Sequence, residues 1–135
     1  MKIFITGASG VFLILHGLVH LLYFAQSRRL VELRPSLVWP TGAWALSRLL
    51  GDEPTRRLAS IALVMTAAGF VAGALGLFIQ QAGWRPAVLG SAALSTLTYL
   101  LCWDGTFQRL ADQGGIGILI NTAIAVAVLT LNQAA

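Results

Sequence analysis

Two histidines, His16 and His20, stand four residues apart in the run "LHGLVH", inside an apolar stretch. That interval is close to one helical turn, so both imidazoles share one helix face. Ser9, Tyr23 and Ser27 extend the same face at helical intervals. A haem held between two histidines needs ligands from opposite sides of the iron. One helix face cannot supply both, and the chain has only these 2 histidines, so an intrachain bis-histidine haem is excluded. Zinc or copper suits an i, i+4 pair but needs a further ligand. No carboxylate falls at that depth, and Cys102 sits too near the end of its segment, so no metal site is assigned. Proton or small-solute handling along His16, His20 and Tyr23 is one remaining chemistry. Its competitor is interhelical hydrogen bonding with no reaction, worth about 0.6 kcal/mol per bond in membranes.

Further polar residues occur at similar depth. Ser91, Ser95, Thr98 and Cys102 form a stripe on a later segment, and Asn121 and Thr122 lie on the last one. At about 1.5 Å per residue, His20, Thr98 and Asn121 fall at one level, which predicts a hydrogen-bonded layer of those three. The candidate intramembrane polar site is therefore His16, His20, Tyr23, Ser95, Thr98 and Asn121. No nucleophile–base pair, phosphate loop or carboxylate dyad is present, so no catalytic residue and no cofactor is assigned.

The elements that must position these residues follow from composition. Of 135 residues, 57% are hydrophobic and 10% charged, against about 45–50% and 25% in soluble domains. Too few charges remain to cover a soluble surface. Four stretches, 9–26, 59–81, 87–103 and 115–131, reach the roughly 17–25 residues of a membrane span. Backbone groups in lipid must be satisfied internally, so each is expected to be helical. The expectation is an all-α polytopic membrane protein forming one domain over 1–135. Its four transmembrane helices form an antiparallel bundle, because the second and third connections are short. On the second helix Ala62, Thr66, Gly69, Gly73 and Gly76 make a small-residue stripe for close helix packing.

Basic residues set the orientation. Arg28, Arg29, Arg34, Arg48, Arg56, Arg57 and Arg109 fall on one side, and Lys2 and Arg85 on the other. The positive-inside rule then puts the long first connection in the cytoplasm and both termini outside. The protein is expected as a multi-pass component of the cell's inner (plasma) membrane. Glu32, Asp52, Glu53, Asp104 and Asp112 all lie on the arginine-rich side. Trp39, Trp44 and Trp103 belong at that interface and Trp84 at the other. Asp104 is read as an interfacial cap or as partner to an arginine of the long connection. Within that connection Thr41 is expected to cap a short amphipathic helix ending at Gly51, and Asp52 to cap the second spanning helix. The net charge of +4 is accounted for by topology and anionic headgroups, so the lipid bilayer, and no nucleic acid, is the expected partner.

The opening "MKIFITGASG" imitates a dinucleotide-binding turn. The fingerprint needs a third glycine three residues past Gly10, and that position is Leu13. No NAD site is assigned, and Ile3–Ile5 are expected as a lead-in to a helix entered near Gly7, Ser9 and Gly10. Tyr23 and Phe24 stand where a signal peptide would place small residues, so the segment is expected to be retained.

The runs "LHGLVHLLYFAQSRRL", "LLCWDGTFQ" and "GGIGILINTAI" resemble a group of uncharacterised small bacterial four-helix integral membrane proteins with a Leu-His-Gly-Leu-x-His-Leu-Leu signature in the first helix. The resemblance extends over nearly the whole chain from Val11 and carries over His16, Gly17, His20, Trp103, Asp104 and Asn121. It implies fold and membrane location, and no activity. The leading expectation is a non-enzymatic membrane bundle, serving as a complex subunit, a homo-oligomer or a small-molecule-binding module. The alternatives are a small transporter or proton-coupled carrier using His16, His20 and Tyr23, and a membrane redox protein binding quinone or metal.

Overall fold

The computed structural model describes residues 2–33 and 37–131; Arg34, counted above for orientation, lies outside them. The described residues are helical, without strands. Five α-helices follow one another: α1 (Lys2–Ser27), α2 (Leu46–Leu50), α3 (Asp52–Phe78), α4 (Trp84–Cys102) and α5 (Ile116–Leu131). A 3₁₀ turn, Phe107–Arg109, and a wide π-type turn, Ala111–Gly115, connect the last two. Three segments are long and apolar enough to cross a membrane: Ile3–Ser27, Asp52–Phe78 and Ala111–Thr130. The fourth expected span, on α4, is not among them; its 19 residues include Arg85 and several hydroxyl side chains.

The helix boundaries differ from expectation for local reasons. Ile3–Ile5 are not a lead-in but already helical, and Gly10 lies within the helix against the Phe78 ring, where a Cβ would collide. Of the two glycines in "TGASG", Gly10 therefore serves helix packing, whereas Gly7 faces open space. The charged turn "DEPTRR" belongs to α3, because Glu53 pairs one turn ahead with Arg56 (2.9 Å) and Arg57 (3.1 Å). Asp52 does not cap α3. Its carboxylate instead accepts the Gly42 N–H at 2.9 Å, tying the loop to the helix start. Nor does Thr41 cap α2, which begins five residues later without a side-chain cap. Ser47 holds the loop by accepting the Ala43 N–H.

Packing is graded by side-chain size. Gly17 meets Ala67 and Phe70, while Gly69, Gly73 and Gly76 meet Ser91, Val88 and Trp84 on α4. The predicted small-residue stripe is thus where α3 meets α4. Thr66 of that stripe is fully buried, and its hydroxyl has no hydrogen-bond partner. One apolar core gathers Leu13, Phe70, Ala74, Val88, Ile124 and Val128. A second, toward the long connection, gathers Trp39, Ala59, Leu63, Tyr99 and Cys102. Helix α1 packs on α3, α3 on α4 and α4 on α5. Between α1 and α5 lies an open, mostly apolar groove of about 720 Å³, lined by residues including Phe12, Leu13, Ile120 and Ile124.

Candidate functional site

Between the two cores sits a knot of polar side chains from three helices. His16 and His20 come from α1, Ser95 from α4 and Asn121 from α5; His20, Ser95 and Asn121 are at most 1% exposed. His16 Nε2 lies 2.8 Å from Asn121 Oδ1. The Asn121 amide nitrogen donates to Ser95 Oγ at 2.8 Å and to Thr96 Oγ1 at 3.3 Å. Ser95 Oγ lies 2.7 Å from His20 Nε2, and His20 Nδ1 lies 2.9 Å from the His16 carbonyl oxygen.

These partners fix the direction of every bond. A carbonyl oxygen only accepts, so His20 Nδ1 carries the proton and, in the neutral ring, Nε2 accepts from the Ser95 hydroxyl. Ser95 in turn accepts from Asn121, whose Oδ1 accepts from a protonated His16 Nε2. The circuit runs His16 to Asn121 to Ser95 to His20 and back to the His16 carbonyl, with both rings neutral. The opposite Asn121 amide orientation would make Ser95 Oγ donate to the amide oxygen. His20 Nε2 would then have to donate as well, requiring a charged imidazolium in the bundle interior.

Aromatic side chains enclose the knot. Phe70 stands 4.9 Å from the His16 ring and 5.6 Å from that of His20, and the two imidazoles meet edge-on at 5.0 Å. Tyr99 continues the column at 5.9 Å from His20, in contact with Tyr23 and Trp39. Gly114 has φ +101° and lies against the Tyr99 ring, so both backbone and space demand glycine there.

Sequence spacing anticipated only part of this grouping. His16, His20, Ser95 and Asn121 come together. Thr98 does not join the predicted layer; its hydroxyl turns back to the Leu94 carbonyl at 2.8 Å. Ser95, one turn earlier, faces His20 instead. Tyr23 also stands apart, donating to the Asp112 carbonyl at 3.2 Å. Thr96, Phe70 and Tyr99 were missed, because a hydroxyl or a ring carries no signal until its neighbours are known. Among the described residues no three His, Cys, Asp or Glu side chains are grouped as a metal site would need. The two Nε2 atoms face different partners.

The interfacial candidates also divide. Trp39 is only 3% exposed, a member of the second core with no outward face, and its indole N–H has no partner. Trp44 is half exposed and donates to the Leu100 carbonyl at 2.8 Å. Trp103 donates to the Thr106 carbonyl at 3.2 Å. Asp104 accepts from the Thr106 N–H and from the Gln113 amide, each at 2.8 Å. Among the described residues, the arginine that pairs with it is Arg109, at 3.8 Å, rather than one of the long connection. Burial pushes the Asp104 pKa up, but the Gln113 and Thr106 hydrogen bonds outweigh it and hold the group below its ordinary value. The chain matches no protein-family model, no curated protein and no solved structure.

Proposed function

We propose that this chain is a non-enzymatic integral membrane bundle with four antiparallel spans, whose histidine pair orients helices and performs no reaction. Helix pairing supports the antiparallel arrangement. Gly10, Gly17 and Ser27 of α1 meet Phe78, Phe70 and Ser60 of α3, in descending order. Gly69, Gly73 and Gly76 meet Ser91, Val88 and Trp84 in the same descending sense. As a fourth span α4 is about 28 Å long, and Ser91, Ser95 and Thr98 are buried, which leaves them off its lipid face. The excess of arginine at the long-connection end supports a cytoplasmic location for it, with both termini outside.

The observation that carries the non-enzymatic role is the closed circuit. A proton path between the histidines would have to cross Asn121, and a primary amide does not take up and release a proton as a hydroxyl or imidazole can. The Ser95 hydroxyl is committed at both ends. The proton-carrier alternative lacks a conducting step between His16 and His20. Proteoliposomes with a trapped pH-sensitive dye test this: wild-type protein and H16Q/H20Q should leave an imposed pH gradient equally intact. A gradient collapsed by wild type and restored in the double variant would overturn the proposal. In the same vesicles, labelling of cysteines placed at each chain end by a membrane-impermeant thiol reagent checks the topology.

A further inference from the structure

A second groove, of about 490 Å³, runs between α1 and α3 at their arginine-rich end. Its two walls share one polarity. On α3, Arg57, Ile61, Val64 and Met65 follow one another at helical intervals on one face, a wall about 12 Å long. On α1 the Phe24 ring is followed one turn later by Arg28, whose N–H donates to the Phe24 carbonyl at 3.0 Å. Each wall is thus apolar toward the middle of the span and ends in a guanidinium. The Ser27–Ser60 hydrogen bond, 2.8 Å, pins the two helices at this level, and both arginines line the groove. Neither is enclosed: Arg28 is exposed, and the Arg57 side chain is 69% exposed. No carboxylate is among the described lining residues. Glu53 engages Arg56 at 2.9 Å and the Arg57 Nε at 3.1 Å, one carboxylate between two guanidiniums.

We propose that this groove seats one anionic phospholipid, its phosphate between Arg28 and Arg57 and an acyl chain along Ile61, Val64 and Met65. The order of the walls, cation and then hydrocarbon, matches headgroup and then chain. Guanidinium N–H groups suit phosphate oxygens, and basic pockets between spanning helices take anionic headgroups. A zwitterionic lipid carries its own cation beside the phosphate, and no lining carboxylate receives it. A soluble phosphate compound would leave the apolar walls uncovered. A second copy docked through the same face across a two-fold axis would bring arginines to one contact from both sides. The site rests on the membrane reading of the chain and is independent of the histidine circuit.

Lipid retention by the purified full chain provides the test. In detergent, the protein is titrated with phosphatidylglycerol or with phosphatidylcholine of the same chains, and the bound fraction is read by native mass spectrometry. The first phosphatidylglycerol should bind about 10-fold tighter than phosphatidylcholine. R28Q/R57Q should remove that preference. R48Q/R109Q, which deletes the same charge on the same side but outside the groove, should change it less than about 2-fold. V64W fills the apolar wall without touching charge and should weaken phosphatidylglycerol binding about 3-fold; it carries the test if R28Q/R57Q fails to fold. Glycerol phosphate, a headgroup without chains, should not displace the lipid at equal concentration. Equal binding of the two lipids, equal weakening by the two double variants, no effect of V64W, or displacement by glycerol phosphate overturns the proposal. Flotation with phosphatidylcholine vesicles separates the two readings. Protein that stays out of the vesicles overturns both, and protein that floats without a lipid preference overturns the site alone.

Discussion

The histidine knot and the region around Trp39 and Arg56 both contain buried polar atoms, yet they are opposite kinds of place. In the knot, donors and acceptors close on one another from His16 round to its own carbonyl. Around Trp39 and Arg56, two buried donors, the indole N–H and the Nε–H, have no acceptor among the described residues. A buried polar group left unsatisfied costs about 1–3 kcal/mol, so the first arrangement supports the fold and the second is tolerated at its expense. Rarity in the sequence points the other way, since intramembrane histidines draw attention and a loop tryptophan beside an arginine does not. Satisfaction of hydrogen bonds, more than burial or residue type, separates the two regions.

The sharpest way to break this contrast is at Asn121, the hub of the knot. Asn121→Leu removes its bonds with His16, Ser95 and Thr96 together. At about 0.6 kcal/mol per interhelical bond in a membrane, the loss comes to roughly 2 kcal/mol. It should appear as a lower midpoint in detergent-driven unfolding, followed by circular dichroism in mixed micelles. A stability equal to wild type would mean that the circuit holds nothing together.

The outline of this molecule was legible in its residues to an uneven degree. Membrane-length apolar stretches announce helices whatever their neighbours, so α1, α3 and α5 were readable from hydropathy. Glycine spacing at 69, 73 and 76 announced a close approach, though not that α4 would fill it. Depth along a helix could place His20, Thr98 and Asn121 at one level. It could not supply the rotation of α4, which turns Ser95 inward toward His20 and sends the Thr98 hydroxyl to its own backbone. The loop residues were less readable still. Trp39 was assigned to an aromatic belt because tryptophans favour interfaces, whereas tertiary contacts with Tyr23 and Tyr99 draw it inside.

A smaller effect of opposite sign is expected at Thr66. This side chain shares the knot's burial and, with the Trp39 and Arg56 donors, a lack of partners: it is fully buried and its hydroxyl is unbonded. Thr66→Val keeps the branched shape and deletes the unsatisfied group. Removing such an atom ranges from neutral to stabilising, so the unfolding midpoint should hold or rise, by up to about 1 kcal/mol. A clear destabilisation would show that burial without a partner is not what marks the Trp39 and Arg56 donors as unusual, and the contrast with the knot would weaken accordingly.

Asp104 tests the middle ground, a group that is satisfied but open to solvent, and its effect should be the smallest. Its carboxylate holds the Thr106 N–H and the Gln113 amide, while the Gln113 oxygen accepts the Asp104 N–H. The folded protein holds its pKa below the ordinary value. The ionised form is therefore favoured by folding, and this contribution is complete above the unfolded pKa of about 3.9. It is lost as pH falls through the lower folded value. D104N cannot be ionised and presents an amide nitrogen or oxygen where two acceptors are needed. At neutral pH it should unfold slightly earlier than wild type, by less than Asn121→Leu, because solvent still screens a partly exposed carboxylate. As the pH is lowered below about 4, the gap between the two midpoints should close. Other carboxylates titrate in both proteins and cancel from that difference. A gap that persists in acid would assign the clamp to side-chain shape instead of charge, and would leave the Gln113 bond as a neutral contact like those of the knot.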